Sequence, residues 1–154
     1  MSDDAQVSGT ITIDAPPEVV FAILADPKQH SRIDGSGSVG SVIAAPDRLT
    51  ATGDTFSVHM KLFGLPYRIR NRVVEFEENR RIAWRHFTAN RWRYELEPTA
   101  DGGTTVTETF DASRADRVTD TVVRAAKFPE RNRAGIVATL QRLKQAAEAD
   151  AARP

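Results

Sequence analysis

The sequence predicts an α+β domain in which six or seven antiparallel strands are covered by one long C-terminal helix. Three observations carry this. Between Thr55 and Asp111 the chain breaks into short segments that alternate apolar and polar residues, separated by Gly, Asn and Pro turn signals. After Asp111 the apolar period changes from 2 to 3.6 and stays there. Before both, one alternating strand runs directly into a short helix opened by prolines.

Taken in order, Val7, Gly9, Ile11 and Ile13 share one face of the first strand, with Ser8, Thr10, Thr12 and Asp14 on the other. Asp14 is expected to cap the helix that follows, with Pro16 and Pro17 in the first positions, where a missing N–H costs nothing. Glu18 complements the positive helix end, Val20, Phe21, Ile23 and Leu24 supply the apolar face, and Asp26-Pro27 ends the element. A stretch from Ser36 to Asp54 dominated by Gly, Ser and Ala, with Pro46, contains one strand, Val39 to Ala45. Four further strands are expected: Thr55 to Phe63, Tyr67 to Glu77, Arg81 to Phe87 and Arg91 to Glu97. Their turns fall at Gly64-Leu65-Pro66, Glu78-Asn79-Arg80 and Thr88-Ala89-Asn90. Asp101-Gly102-Gly103 then turns the chain into Thr104 to Asp111. Ala115 to Lys127 reads as a helical piece, and Pro129 as the first residue of the terminal helix. There Ile136, Leu140, Leu143 and Ala147 form one apolar stripe opposite Arg133, Gln141, Arg142 and Lys144. That stripe needs a partner, and the concave face of the sheet is the large one available. Residues Ala146 to Pro154 are expected to fray.

With 154 residues the chain suits one domain, 1–154, that buries about 68–70% of its unfolded surface. Lys plus Arg and Asp plus Glu are equal at 21 each, so no net field draws it to nucleic acid or anionic lipid. The absence of cysteine removes disulfides, thiolate metal sites and cysteine nucleophiles. The polar, acidic start and the lack of any run of 18 apolar residues make a cytoplasmic protein without stable membrane insertion the expectation.

Strand parity nominates an inner wall. Trp84 and His86 share a face with Ile82; Trp92 and Tyr94 face them from the next strand; Glu108 lies between Val106 and Phe110 with the same parity. Asn71 sits between Ile69 and Val73, with Tyr67 nearer the rim, and Phe56, Val58, Met60 and Leu62 back the wall. A mostly apolar wall with a few convergent polar groups is what a small-molecule site requires. His86 and Glu108 are the candidate acid–base couple, burial pushing the carboxyl pKa up and the imidazole down. The plainer reading is that they hydrogen-bond each other or Tyr94 within the core.

Elsewhere the plain readings prevail. His30 and Asp34 flank the glycine-rich loop, where a solvated helix end and ordinary Asp-Gly turn chemistry are expected rather than a gate. Gly35-Ser36-Gly37 lacks the context of a phosphate loop. Arg68, Arg70 and Arg72, joined by Arg91 and Arg93, read as a solvated outer stripe without the interleaved aromatics that single-stranded nucleic acid would want. His59 points outward. Three scattered histidines make no zinc site, no cofactor is implied, and no Gly-x-Ser-x-Gly elbow is present.

The segment from Ile13 through Phe21 to Leu24-Ala25-Asp26-Pro27 resembles the opening of the START-like, polyketide cyclase/dehydrase (SRPBCC) superfamily. The resemblance continues through Asn71 to Phe76, Ile82 to Arg85, Gly103 to Phe110 and Leu140 to Lys144, and so covers essentially the whole chain. It implies the helix-grip (START/Bet v 1-like) fold, a curved antiparallel sheet wrapped around a long C-terminal helix with a cavity between. Many relatives place a Trp shortly after the Asp-Pro. Here His30 to Gly37 has none, which implies a smaller, more polar mouth near Ile33. Three functions are compatible with such a fold. The leading one is binding of a small or medium hydrophobic molecule, a lipid, polyketide or aromatic metabolite, by a monomer or homodimer that takes no nucleic acid. The second is a cyclase or dehydratase in which His86 or Glu108 moves protons and Tyr94 or Asn71 orients a carbonyl. The third is a chaperone-activator-like interaction module using the outer arginines.

Overall fold

The computed structural model describes residues 6–85, 90–112 and 128–153, the side chains of 62 and 128–132 excepted. Its strands are β1 (Gln6–Ile13), β2 (Val39–Ala44), β3 (Thr55–Leu62), β4 (Leu65–Glu77), β5 (Arg81–Arg85), β6 (Arg91–Pro98) and β7 (Thr104–Asp111). Helices α1 (Pro17–Leu24) and α2 (His30–Ile33) lie between β1 and β2, and α3 (Phe128–Ala151) follows β7. The strands form one antiparallel sheet in the order β1-β7-β6-β5-β4-β3-β2, so the first strand closes against the last. The expected six or seven strands are therefore seven.

Helix α3 packs chiefly along β1 and also against α1, α2 and β7. Its stripe is buried as the spacing predicts, Ile136, Leu140, Leu143 and Ala147 all being in the core. Each large aliphatic side chain removed from water there contributes about 1.5–3 kcal/mol. As far as Ala151 the far end is ordered helix rather than frayed. Ala146 and Ala147 are buried, Glu148 accepts the Asp14 N–H at 2.8 Å, and Asp150 takes a two-pronged contact from Arg32 at 2.9 and 3.0 Å. Those ties carry the helix on to Ala151. Pro129 lies in its first described turn, and the helical piece expected over Ala115 to Lys127 falls outside the described residues.

Two local expectations are corrected. Asp14 does not cap α1: Pro16 holds that position without a side-chain hydrogen bond, Pro17 starts the helix, and the Asp14 backbone is spent on Glu148. It is Asp26 that caps, accepting the Lys28 N–H at 3.0 Å to open a 3₁₀ turn over Pro27–Gln29. The β3–β4 turn is also tighter than Gly64-Leu65-Pro66. Leu62 pairs with Leu65, so only Phe63 and Gly64 make the turn, with φ of 52° and 78°. The turn expected at Thr88 to Asn90 is described only at Asn90.

The connection after α2 is clamped to α3. Asp34 accepts the N–H groups of Ser36 and Val39, both at 3.0 Å, and the Gly35 N–H donates to Thr139 Oγ1 at 2.9 Å. A Cβ on Gly35 would lie 2.4 Å from Ala138 Cβ and 2.6 Å from the helix backbone. Because backbone cannot yield as a side chain can, Gly35→Ala is expected to destabilise the protein by about 2–3 kcal/mol, measured by urea denaturation. A change below about 0.5 kcal/mol would show that this contact is not close.

Candidate functional site

Directly paired residues of an antiparallel sheet point to the same side. Gly9 faces Ile136 and Leu140 of α3, and the register carries that side across the sheet from Gly9 to Glu108, Tyr94 and Ile82. Parallel rows place Val7, Phe110, Trp92, Trp84 and Val73 together, and Phe56 opposite Asn71. The wall nominated from sequence thus converges on the helix side for Phe56, Val58, Asn71, Trp84, Tyr94 and Glu108, all buried. Met60 and Trp92 are partly buried at its margins, Met60 opposite Tyr67 and Trp92 against Phe110 with ring centroids 4.7 Å apart. His86 lies outside the described residues, so its proposed partnership with Glu108 has no geometry here.

Trp84 is the hub of the wall. Its ring centroid is 5.5 Å from that of Phe56, 5.7 Å from that of Tyr94 and 4.7 Å from that of His30, the last nearly parallel at 18°. This overturns the solvated reading of His30. The short helix α2 turns the imidazole inward, where it is buried, edge-on to Phe56 at 5.3 Å, with Nε2 2.8 Å from the Leu24 carbonyl. Burial lowers its pKa against the opposing effects of that hydrogen bond and of Asp26, so the ring stays neutral and behaves as an aromatic. Ile33 of the same helix likewise enters the core. A single helical His beside Ile33 carries little periodic signal, which is why sequence reasoning missed it.

Glu108 is the most perturbed carboxyl among the described residues. It is 2% exposed, and burial raises its pKa to about 8, with the nearby Asp34 charge adding to the effect and a hydrogen bond with Tyr94 opposing it. Its Oε1 makes no hydrogen bond among the described residues. Burial, followed by the charge and hydrogen bond of Glu108, also pushes the Tyr94 hydroxyl well above its ordinary range. At neutral pH the pair is therefore a carboxylic acid beside a phenol, both uncharged and both able to donate.

The opposite face of the sheet is divided. A bulge between Val73 and Glu75 inserts Val74, so Glu75 pairs with Ala83 and turns outward while Phe76 returns inward opposite Ile82. Glu75 there receives Arg93 at 2.8 Å and Arg91 at 3.0 Å. Burial pushes its pKa up, but these hydrogen bonds and charges outweigh it and the carboxyl lies below its ordinary value. Arg91 and Arg93 thus leave the expected solvated stripe, whereas Arg68, Arg70 and Arg72 remain exposed, as does His59.

Residues 4–148 match the family described as polyketide cyclase / dehydrase and lipid transport. An uncharacterised protein of Mycobacterium tuberculosis, Rv0088, is 42% identical over 140 residues, which is 90% of this chain and 62% of that protein. The chain thus spans less than two thirds of the relative's length. Among solved structures, protein NE0264 of Nitrosomonas europaea superposes with a TM-score of 0.73 at 16% identity, covering 99% of this chain and 100% of its own. An AHSA1-like protein of Aeromonas hydrophila gives 0.66 at 21% identity, covering 94% and 93%. The antiparallel sheet, the terminal helix and the match along nearly the whole sequence agree: the chain belongs to the polyketide cyclase/dehydrase and lipid transport family and has the helix-grip fold of the SRPBCC proteins.

Proposed function

We propose that the chain binds a small or medium hydrophobic molecule between the sheet and α3, its polar group hydrogen-bonded by Glu108 and Tyr94. The supporting observation is the buried Oε1 of Glu108, a polar atom without a hydrogen bond among the described residues on an otherwise aromatic wall. Such an atom costs about 1–3 kcal/mol, which a ligand hydroxyl or carbonyl recovers. Phe56, Val58, Met60, Trp84 and Trp92 supply apolar area, and the family's description includes lipid transport. The test is a thermal-shift titration with long-chain fatty acids and with polycyclic phenols. Saturable stabilisation that follows ligand concentration, and weakens in Glu108→Gln, is expected. A flat response across both classes would overturn the reading.

A second reading rests on the same carboxyl. A group with a pKa of about 8 holds its proton at pH 7 and suits a general acid, as a cyclase or dehydratase would need. Tyr94 or Asn71 would then orient a carbonyl. Turnover of a polyketide-like substrate that persists unchanged in Glu108→Gln would remove that role.

A further inference from the structure

The β3–β4 hairpin breaks two rules of soluble surfaces at once. Phe63 and Leu65, at its tip, are 65% and 70% exposed. Phe63 also holds φ at 52° in a two-residue turn, a place where Asn, Asp or Gly sits without strain and a bulky side chain does not. An aromatic kept at a strained, solvent-facing position points to a use for its side chain.

From Thr55 to Arg72 the charged side chains on the outer face of the hairpin have one sign. Lys61, Arg68, Arg70, Arg72 and, across the next register pair, Arg85 are exposed on the outer face behind it. None of the five makes an ion pair among the described residues, and Arg70 has only a long contact to Thr55 at 3.4 Å. The protein's net charge is zero, so this cluster is a local excess rather than part of a general field. At about 3.3 Å per residue, Arg68 lies roughly 10 Å along the strand from Leu65 and Lys61 roughly 7 Å from Phe63, a spacing that seats both in a headgroup layer when the tip enters it.

We propose that the β3–β4 hairpin docks on an anionic lipid bilayer, Phe63 and Leu65 entering the interface while Lys61, Arg68 and Arg70 face lipid phosphates. Exposed apolar side chains rimmed by cations match that surface in both chemistries. Nucleic acid would use the arginines but has no need of Phe63 or Leu65 at the tip, and no aromatic is interleaved among the arginines to stack bases. Docking sets the Met60–Tyr67 pair, at the tip end of the inner face, next to the bilayer. The proposal stands on the outer surface and does not require that Glu108 bind a ligand.

The experiment is flotation of the full chain with vesicles of phosphatidylcholine, with or without one-third phosphatidylglycerol. The parent is expected to float with the anionic vesicles, to stay down with the neutral ones, and to be released as salt rises. Phe63→Asn is expected to weaken binding by about tenfold or more while raising the thermal midpoint, because it removes the strained aromatic. That opposite movement separates lost docking from lost folding. Arg68→Glu should weaken binding without the gain in midpoint. Absence of flotation with anionic vesicles would overturn the proposal, as would full binding by Phe63→Asn. Displacement from vesicles by an oligonucleotide that binds parent and Phe63→Asn equally would assign the cationic face to nucleic acid and also overturn it.

Discussion

Glu108→Gln is expected to leave stability at pH 5 within about 1 kcal/mol of the parent and to raise it by on the order of 4 kcal/mol at pH 9. The reason is the difference between the two ends of the folding reaction. Unfolded, the carboxyl loses its proton near its ordinary value of 4.5; folded, it keeps the proton to about 8. A raised acid pKa means that folding favours the protonated form, so stability is greatest below pH 4.5, declines as pH rises, and levels off above about 8. Glutamine has the same shape as the neutral acid and no charge to bury, so it does not share the decline. His30 works in the other direction. Its pKa is lowered from 6.5, so its contribution is present above that value and is lost as pH falls through the lowered folded pKa. The alkaline limb of a stability profile, measured by urea denaturation across pH, should therefore flatten in Glu108→Gln while the acid limb persists. Identical alkaline limbs in both proteins would show that Glu108 is solvated.

Trp84→Ala is expected to cost about 3–5 kcal/mol, the range for deleting a large buried aromatic whose neighbours relax only partly. The magnitude follows from its position. Trp84 touches rings from three other elements, His30 of α2, Phe56 of β3 and Tyr94 of β6, and is 8% exposed. Its loss also strips His30 of its stacking partner. Trp84→Phe, which keeps a ring against Phe56 and Tyr94, should cost less than half as much. The chain holds only two tryptophans, so in either variant fluorescence reports Trp92 alone while urea denaturation gives the stability. A cost below about 1 kcal/mol for Trp84→Ala would mean that the ring is not a packed member of the wall.

How far such effects were legible beforehand depended on period. The alternation in β3, β4, β6 and β7 placed Phe56, Asn71, Tyr94 and Glu108 on one side, and the structure buries all four. The 3.6-residue stripe through Ile136 and Leu143 likewise specified the buried face of α3. Where a single residue departs from its period, the pattern misleads. Val74 is the bulge residue, and by sending Glu75 outward it converts Arg91 and Arg93 from a solvated stripe into an ion-pair cluster. Short elements fail for the same reason: α2 has four residues, too few to show a period, so the inward turn of His30 was invisible. The helix end expected to fray is held by Arg32 and Asp14, more than a hundred positions away in sequence.

By itself, the order and periodicity of residues determined the kinds of elements, their sequence and the face each turns to the core, because those depend on spacing along the chain. Tertiary structure alone decided that Glu108 keeps its proton near neutrality, that His30 is an aromatic of the wall, and that Arg91 and Arg93 are neutralised while Arg68 and Arg70 are not. Burial, charge and stacking are set by distances in space between residues remote in sequence, and no local pattern records those distances.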